Sequence, residues 1–187
     1  CNNNEKIINE TGILPGNVCY VKHAEQGKIY YVNLKENTIN EMELSTFYEK
    51  SIQNPIMENK YIQDFVINNN WLVWLEDEFD RISYSKQPYT NWTIHSKNLT
   101  TGKIHNVDSS KTNGVPHISF SLYEDKIVYN TFEMDKNDNT YKKIILYDLA
   151  MSDKKIIDSV KTKDGFTLSA PHINGNYVVW SKSKLNA

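Results

Sequence analysis

Short apolar runs separated by polar turns recur through residues 18–183 and predict a succession of β-strands rather than helices. The clearest case is Phe65-Val66-Ile67-Asn68-Asn69-Asn70-Trp71-Leu72-Val73-Trp74, which reads strand, turn, strand. It matches Pro171-His172-Ile173-Asn174-Gly175-Asn176-Tyr177-Val178-Val179-Trp180 without a gap. Phe120-Ser121-Leu122-Tyr123-Glu124-Asp125-Lys126-Ile127-Val128-Tyr129 fits the same frame, so the hairpin occurs three times.

A second hairpin follows the first. Residues 94–104, with Asn98-Leu99-Thr100-Thr101-Gly102-Lys103 at the bend, correspond to residues 144–156 around Asp148-Leu149. Residues 29–39, around Asn33-Leu34, read as a third copy. Each β-rich run stops on Asn or Asp, whose side chain can bond the turn backbone, and resumes on a β-branched residue. One unit therefore holds four antiparallel strands, a to d, at about 65–67, 71–75, 92–99 and 103–107.

Four-strand units of roughly fifty residues joined in sequence are the mark of β-propeller blades. The expected fold is all-β, with three to four blades in a ring that is incomplete or open. A polar linker over 1–15 leads into a propeller-like domain over 16–187. Within it we expect a partial blade at 17–42, a loop at 43–64, blades at 65–108 and 115–160, and a partial blade at 170–183. Too few strands close a ring comfortably, so the open edge calls for further blades or for another subunit.

In such a meander the a–b and c–d turns share one face and the b–c and d–a loops share the other. The first are tight and the second long, at about 76–91, 130–140 and 43–64. Loops on a rigid scaffold carry binding residues, so the long-loop face is the candidate site. Its candidates are Phe79, Asp80, Arg81, Tyr84 and Tyr89 in the first b–c loop and Asp135 in the second, a mix of aromatic area and charge suited to a protein or glycan partner. Trp71, Trp74 and Trp180 fall on strand b and are expected in the packing between blades.

Ile127-Val128-Tyr129 followed by Ile144-Ile145-Leu146-Tyr147-Asp148-Leu149, together with the Asn98–Lys103 turn, resembles the repeats of TolB-like propellers. The resemblance covers residues 17–183 and implies a propeller scaffold, which serves binding proteins and enzymes alike.

Composition narrows the function. Twenty-one Lys and Arg against 23 Asp and Glu give a net charge of -2, which offers no basic excess for nucleic acid. The 23 asparagines, with abundant Lys and Ile, reflect a compositional bias rather than a site. No apolar run is long enough to span a bilayer as a helix. Cys1 followed by Asn2-Asn3-Asn4 is similar to the start of a mature bacterial lipoprotein, which implies lipid attachment at Cys1 and an extracytoplasmic, membrane-tethered location. Cys19 reads as a buried small hydrophobe.

No phosphate loop, dinucleotide fingerprint, nucleophile elbow or zinc-spaced His/Cys set is present, so no cofactor or metal is expected. Asp135, Asn137 and Asn139 imitate a calcium loop, but Thr140 and Leu146 stand where its Gly and bidentate Glu belong. His117 and His172, each after Pro and before Ile, read as a lead-in to strand a. The leading expectation is a non-enzymatic binding module. The alternative is a carbohydrate or cell-wall hydrolase drawing a carboxylate pair from Asp77, Glu78, Asp80 and Asp135.

Overall fold

The computed structural model describes residues 19–68, 70–78, 89–113, 118–137 and 139–184, with backbone alone for 19, 20, 89, 90, 112 and 113. Phe79, Asp80, Arg81, Tyr84, His117 and Cys1 lie outside the described residues, as do the side chains of Cys19 and Tyr89. Every described strand is antiparallel to its neighbour, and the fold is all-β.

Three four-stranded meanders follow one another. The first comprises β1 (Cys19–Glu25), β2 (Lys28–Asn33), β3 (Thr38–Glu43) and β4 (Tyr48–Gln53). The second comprises β5 (Tyr61–Ile67), β6 (Trp71–Asp77), β7 (Tyr89–Asn98) and β8 (Ile104–Asn113). The third comprises β9 (Phe120–Tyr123), β10 (Lys126–Met134), β11 (Thr140–Asp148) and β12 (Asp153–Lys161). A single 3-10 turn, Thr162–Asp164, leads to a broken hairpin. In it β13 (Phe166–Leu168) pairs with β16 (Lys182–Lys184), and β14 (His172–Asn174) pairs with β15 (Tyr177–Val179). That hairpin supplies strands a and b of a fourth unit, as the sequence frame requires.

The first unit is where sequence and structure part. Residues 48–53 form β4, which pairs with β3 and completes the sheet, so the expected loop shrinks to the 54–60 segment. The Asn33-Leu34 bend joins strands b and c, not c and d. The backbone shows the true equivalence: Leu44, Leu99 and Leu149 each donate their N–H, at 2.8 Å, to the carbonyl of Gly27, Asn70 and Asp125 respectively. Each bond ties a c–d turn to the a–b turn of its own sheet, which confirms that both kinds of turn share a face. A second signature agrees. Every strand d carries a bulge opposite the same point of strand c, at Ile52, Val107 and Ile157.

The cores lie between sheets. One cluster joins Tyr30, Val32 and Ile39 of the first sheet to Phe65, Leu72 and Trp74 of the second. Another joins Val73, Trp92 and Ile94 of the second to Ile127, Tyr129 and Ile145 of the third. The last joins Val128, Ile144 and Val160 to Leu168 and Ile173, with Val178 and Trp180 packed against it. Alternation along a strand sends one set of side chains into each junction, which is how blades of a propeller pack. The strand-b tryptophans take these packing positions, with Trp71 and Trp74 buried and Trp180 half-buried.

Polar latches cross the junctions. The Tyr129 hydroxyl donates to Asp108 Oδ2 at 2.9 Å, and Trp180 Nε1 donates to Asp158 Oδ2 at 3.0 Å. Both aspartates directly follow the bulge of the preceding strand d. At the first junction that position is Gln53, and Trp74 Nε1 donates instead to Glu76 Oε1 at 2.7 Å.

Candidate functional site

The b–c and d–a connections gather on the face opposite the short turns. They are less uniform than the sequence suggests. The β2–β3 bend is tight, and β10 and β11 run to Met134 and from Thr140, so the second b–c loop is only 135–139. The first, between β6 and β7, lies mostly outside the described residues, but its two feet are defined.

At those feet the carboxylates are held by neighbouring side chains. Glu78 accepts from Asn91 N at 3.1 Å and from Asn91 Nδ2 at 2.8 Å, and pairs with Lys60 Nζ at 3.2 Å. Lys60, itself buried, also donates to the Asn91 carbonyl at 2.7 Å. Burial works against the Glu78 anion, but the bonds from Asn91 and Lys60 outweigh it and lower its pKa. Beside it the buried Asp77 accepts from Gln63 Nε2 at 2.7 Å.

Glu76 is wholly enclosed. Besides Trp74 it accepts the backbone N–H of Ile56 at 2.8 Å and of Met57 at 3.2 Å, which pins the β4–β5 connection to strand b. Its burial favours protonation, yet the His95 ring at 3.6 Å and these donors hold the carboxyl below its ordinary range.

The second b–c loop is organised by Asp135. Its Oδ1 accepts from Asn137 N at 2.8 Å and Asn139 N at 2.9 Å, and its Oδ2 accepts from Asn139 Nδ2 at 2.9 Å. These bonds, the Asn139 side chain first, lower the Asp135 pKa to about 2. The calcium-like spacing is thus a turn that satisfies its own carboxylate. Among the described residues no group of three or more His, Cys, Asp or Glu side chains could hold a metal ion.

Of the four proposed acids, then, Glu78 and Asp135 are held ionised and Asp77 is bonded to Gln63, while Asp80 lies outside the described residues. A general acid needs the opposite, a carboxyl raised toward neutrality.

Sequence reading passed over a different feature of the same face. At the loop end of the third sheet, Lys142 Nζ lies 5.1 Å from the Phe132 ring centre and Lys161 Nζ lies 5.7 Å from that of Tyr141. Lys142 and Phe132 are cross-strand partners, as are Lys161 and Tyr141. Burial lowers the pKa of Lys142. Lys163, on the 3-10 turn, has its pKa lowered by the Lys161 ammonium beside it. Tyr141 reaches Asp135 through its hydroxyl at 3.4 Å, which joins the two groups. The signal was available as Tyr141-Lys142-Lys143 and Lys161-Thr162-Lys163, but only the β11–β12 register brings the two runs together.

No family model matches the chain, and no curated protein matches it in sequence. Solved structures with similar folds are distant. An oligogalacturonate lyase in complex with manganese is 11% identical, with a TM-score of 0.40 over 72% of this chain and 50% of that one. A nidogen/laminin complex is 12% identical, with a TM-score of 0.38 over 71% of this chain and 59% of that one. The β-propeller domain of the Trilobed protease from Pyrococcus furiosus is 13% identical, with a TM-score of 0.45 over 90% and 57%. The chain spans half to three-fifths of the length of these structures.

Proposed function

We propose that the protein is a non-enzymatic binding module whose long-loop face takes an acidic segment of a protein partner. The observation that carries this is the closeness of Lys161 to Lys163 on the 3-10 turn, with Lys161 lying over the Tyr141 ring. Two ammonium groups in contact repel each other, and a partner carboxylate set between them removes that cost. The Tyr141 ring under Lys161 adds apolar area and holds that cation in place. Phe79, Asp80, Arg81, Tyr84 and Tyr89 of the first b–c loop remain the sequence candidates for contacts to the same partner. The TolB-like repeat pattern fits a scaffold role of this kind, and a lipid on Cys1 would tether the module at an extracytoplasmic membrane surface.

The test is calorimetric titration with a glutamate-rich peptide at low salt. Lys161→Gln and Lys163→Gln should each weaken binding about two- to fivefold, and added salt should weaken it further. Equal affinity in the variants would refute the lysine pair as the contact. Binding of a neutral peptide alone would refute the acidic partner, and binding of an acidic oligosaccharide alone would make the ligand a glycan.

A further inference from the structure

Between β4 and β5 the chain crosses from the first sheet to the second through the connection 54–60. Both ends of this crossing are held by bonds that acid leaves intact. Lys97 Nζ donates to the Ile52 carbonyl at 3.0 Å and to Gln53 Oε1 at 3.3 Å. Asn37 Nδ2 donates to the Lys60 carbonyl, and Asn37 Oδ1 accepts from Ile62 N, both at 2.7 Å. The middle rests on one carboxylate. Glu76 Oε1 accepts the N–H of Ile56 and the indole N–H of Trp74, and Oε2 accepts the N–H of Met57. The Thr93 hydroxyl adds a 3.6 Å contact to the Met57 sulfur, a weak acceptor.

We propose that 54–60 is a strap whose closure depends on the Glu76 anion, so that acid opens it while the two sheets stay folded. An ionised carboxylate accepts on both oxygens, whereas a protonated one turns an oxygen into a donor. Here that donor would meet the donors already aimed at the group. Glu76 is wholly buried, so the backbone N–H groups of Ile56 and Met57 find water in its place only when the strap lifts.

The charged and titratable groups around Glu76 support the anion or are bonded elsewhere. From β7, His95 Nε2 lies 3.6 Å from Oε2, and Lys97 is bonded to the end of β4. On the connection itself, Lys60 Nζ pairs with Glu78 at 3.2 Å and donates to the Asn91 carbonyl, while Glu58 is exposed. From the first sheet, Tyr30 belongs to the same packed cluster as Trp74. Burial by itself would raise the Glu76 pKa, and the bonds from His95, Trp74 and Ile56 bring it below its ordinary range. Opening returns the carboxyl toward that ordinary range, so the closed form binds fewer protons. Closure is therefore complete above the ordinary carboxylate range and is lost as pH falls through the lowered value. The connection belongs to the long-loop face, and the strap ties the shape of that face to pH whether or not the face takes an acidic partner.

Residue-resolved amide exchange on the whole protein, corrected for the intrinsic effect of pH and followed from neutral to about pH 3, reads the strap directly. Below the lowered value the Ile56 and Met57 amides should lose protection about tenfold per unit of pH, while Leu72 and Val73 in β6 keep theirs. The carboxyl carbon of Glu76 should titrate with the same midpoint in its chemical shift. Glu76→Gln fixes the protonated pattern of an acceptor beside a donor at every pH. Its Ile56 and Met57 amides should exchange freely at neutral pH, with Leu72 and Val73 still protected. Persistent protection of Ile56 and Met57 after Glu76 has titrated would overturn the proposal, as would full protection of both in Glu76→Gln. Simultaneous loss at Leu72 and Val73 would overturn it as well, because acid would then unfold the sheets instead of opening a strap. Should Glu76→Gln fail to fold, the titration of the unaltered protein decides between these outcomes.

Discussion

Tyr129 and Trp180 occupy one position in successive units, and each gives its polar ring hydrogen to the aspartate that follows a bulge. The bulge adds a residue to strand d and redirects the next side chain, here across the junction. Burial raises the Tyr129 phenol pKa first, and Asp108 adds to it, so the hydroxyl stays a donor. Removing its acceptor strands a buried hydroxyl. Asp108→Ala should therefore cost about 1–3 kcal/mol in urea unfolding, and Tyr129→Phe about 1 kcal/mol. In a double-mutant cycle the second change should cost little once the first is made; additive losses would mean that Asp108 acts through Lys154, which it also contacts at 2.7 Å. At the first junction Gln53 replaces the aspartate, and a buried glutamate on the same strand as Trp74 takes over the bond. None of this pairing is legible in the sequence, because the partners are some twenty residues apart and their meeting depends on the bulge.

At the scale of the element, the hairpin frame around Trp71, Lys126 and Tyr177 could be read directly, since apolar runs flank short polar bends. The first unit could not, for two physical reasons. Asn33 Oδ1 accepts from Lys35 N and Glu36 N just as Asn98 Oδ1 accepts from Thr100 N and Thr101 N, so two bends on opposite faces share one local chemistry. Sequence matching sees that chemistry and not the face. The other reason is β4 itself, an outer strand with a single buried residue, Gln53, which therefore shows no apolar alternation. Its lead-in turn is also unusual. Phe47 holds a φ of 57° where the second sheet has Gly102 at 72°. Both donate their N–H at 2.8 Å to the residue that ends strand c. A side chain in this region costs about 1 kcal/mol, and the Phe47 ring is 55% exposed, with little burial to offset it. Phe47→Gly should accordingly stabilise the protein by about 1 kcal/mol in thermal or urea unfolding; a loss of that size would show that the ring holds a contact across the turn.

The whole molecule is an open array of propeller-like blades in which each core lies between two sheets rather than inside one. Such an array has a front and a back, with short turns tied together on one and the loops on the other. It also has ends, and the described end at β15–β16 leaves apolar side chains in water. The sequence made the sidedness and the missing closure legible through turn lengths and strand count. It did not reveal the lysine and aromatic patch, which exists only because β11 and β12 pair in one register, and the first b–c loop lies beyond what the structure describes.

The central claim is that three complete four-stranded units repeat in one register, with β4 as the outer strand of the first. Residue-resolved amide exchange tests it most directly. Leu44, Leu99 and Leu149 should be protected together, and 48–53 should show the alternating protection of an outer strand bonded on one side. Free exchange at Leu44 and throughout 48–53, with Leu99 and Leu149 protected, would contradict it and return the first unit to three strands and a loop.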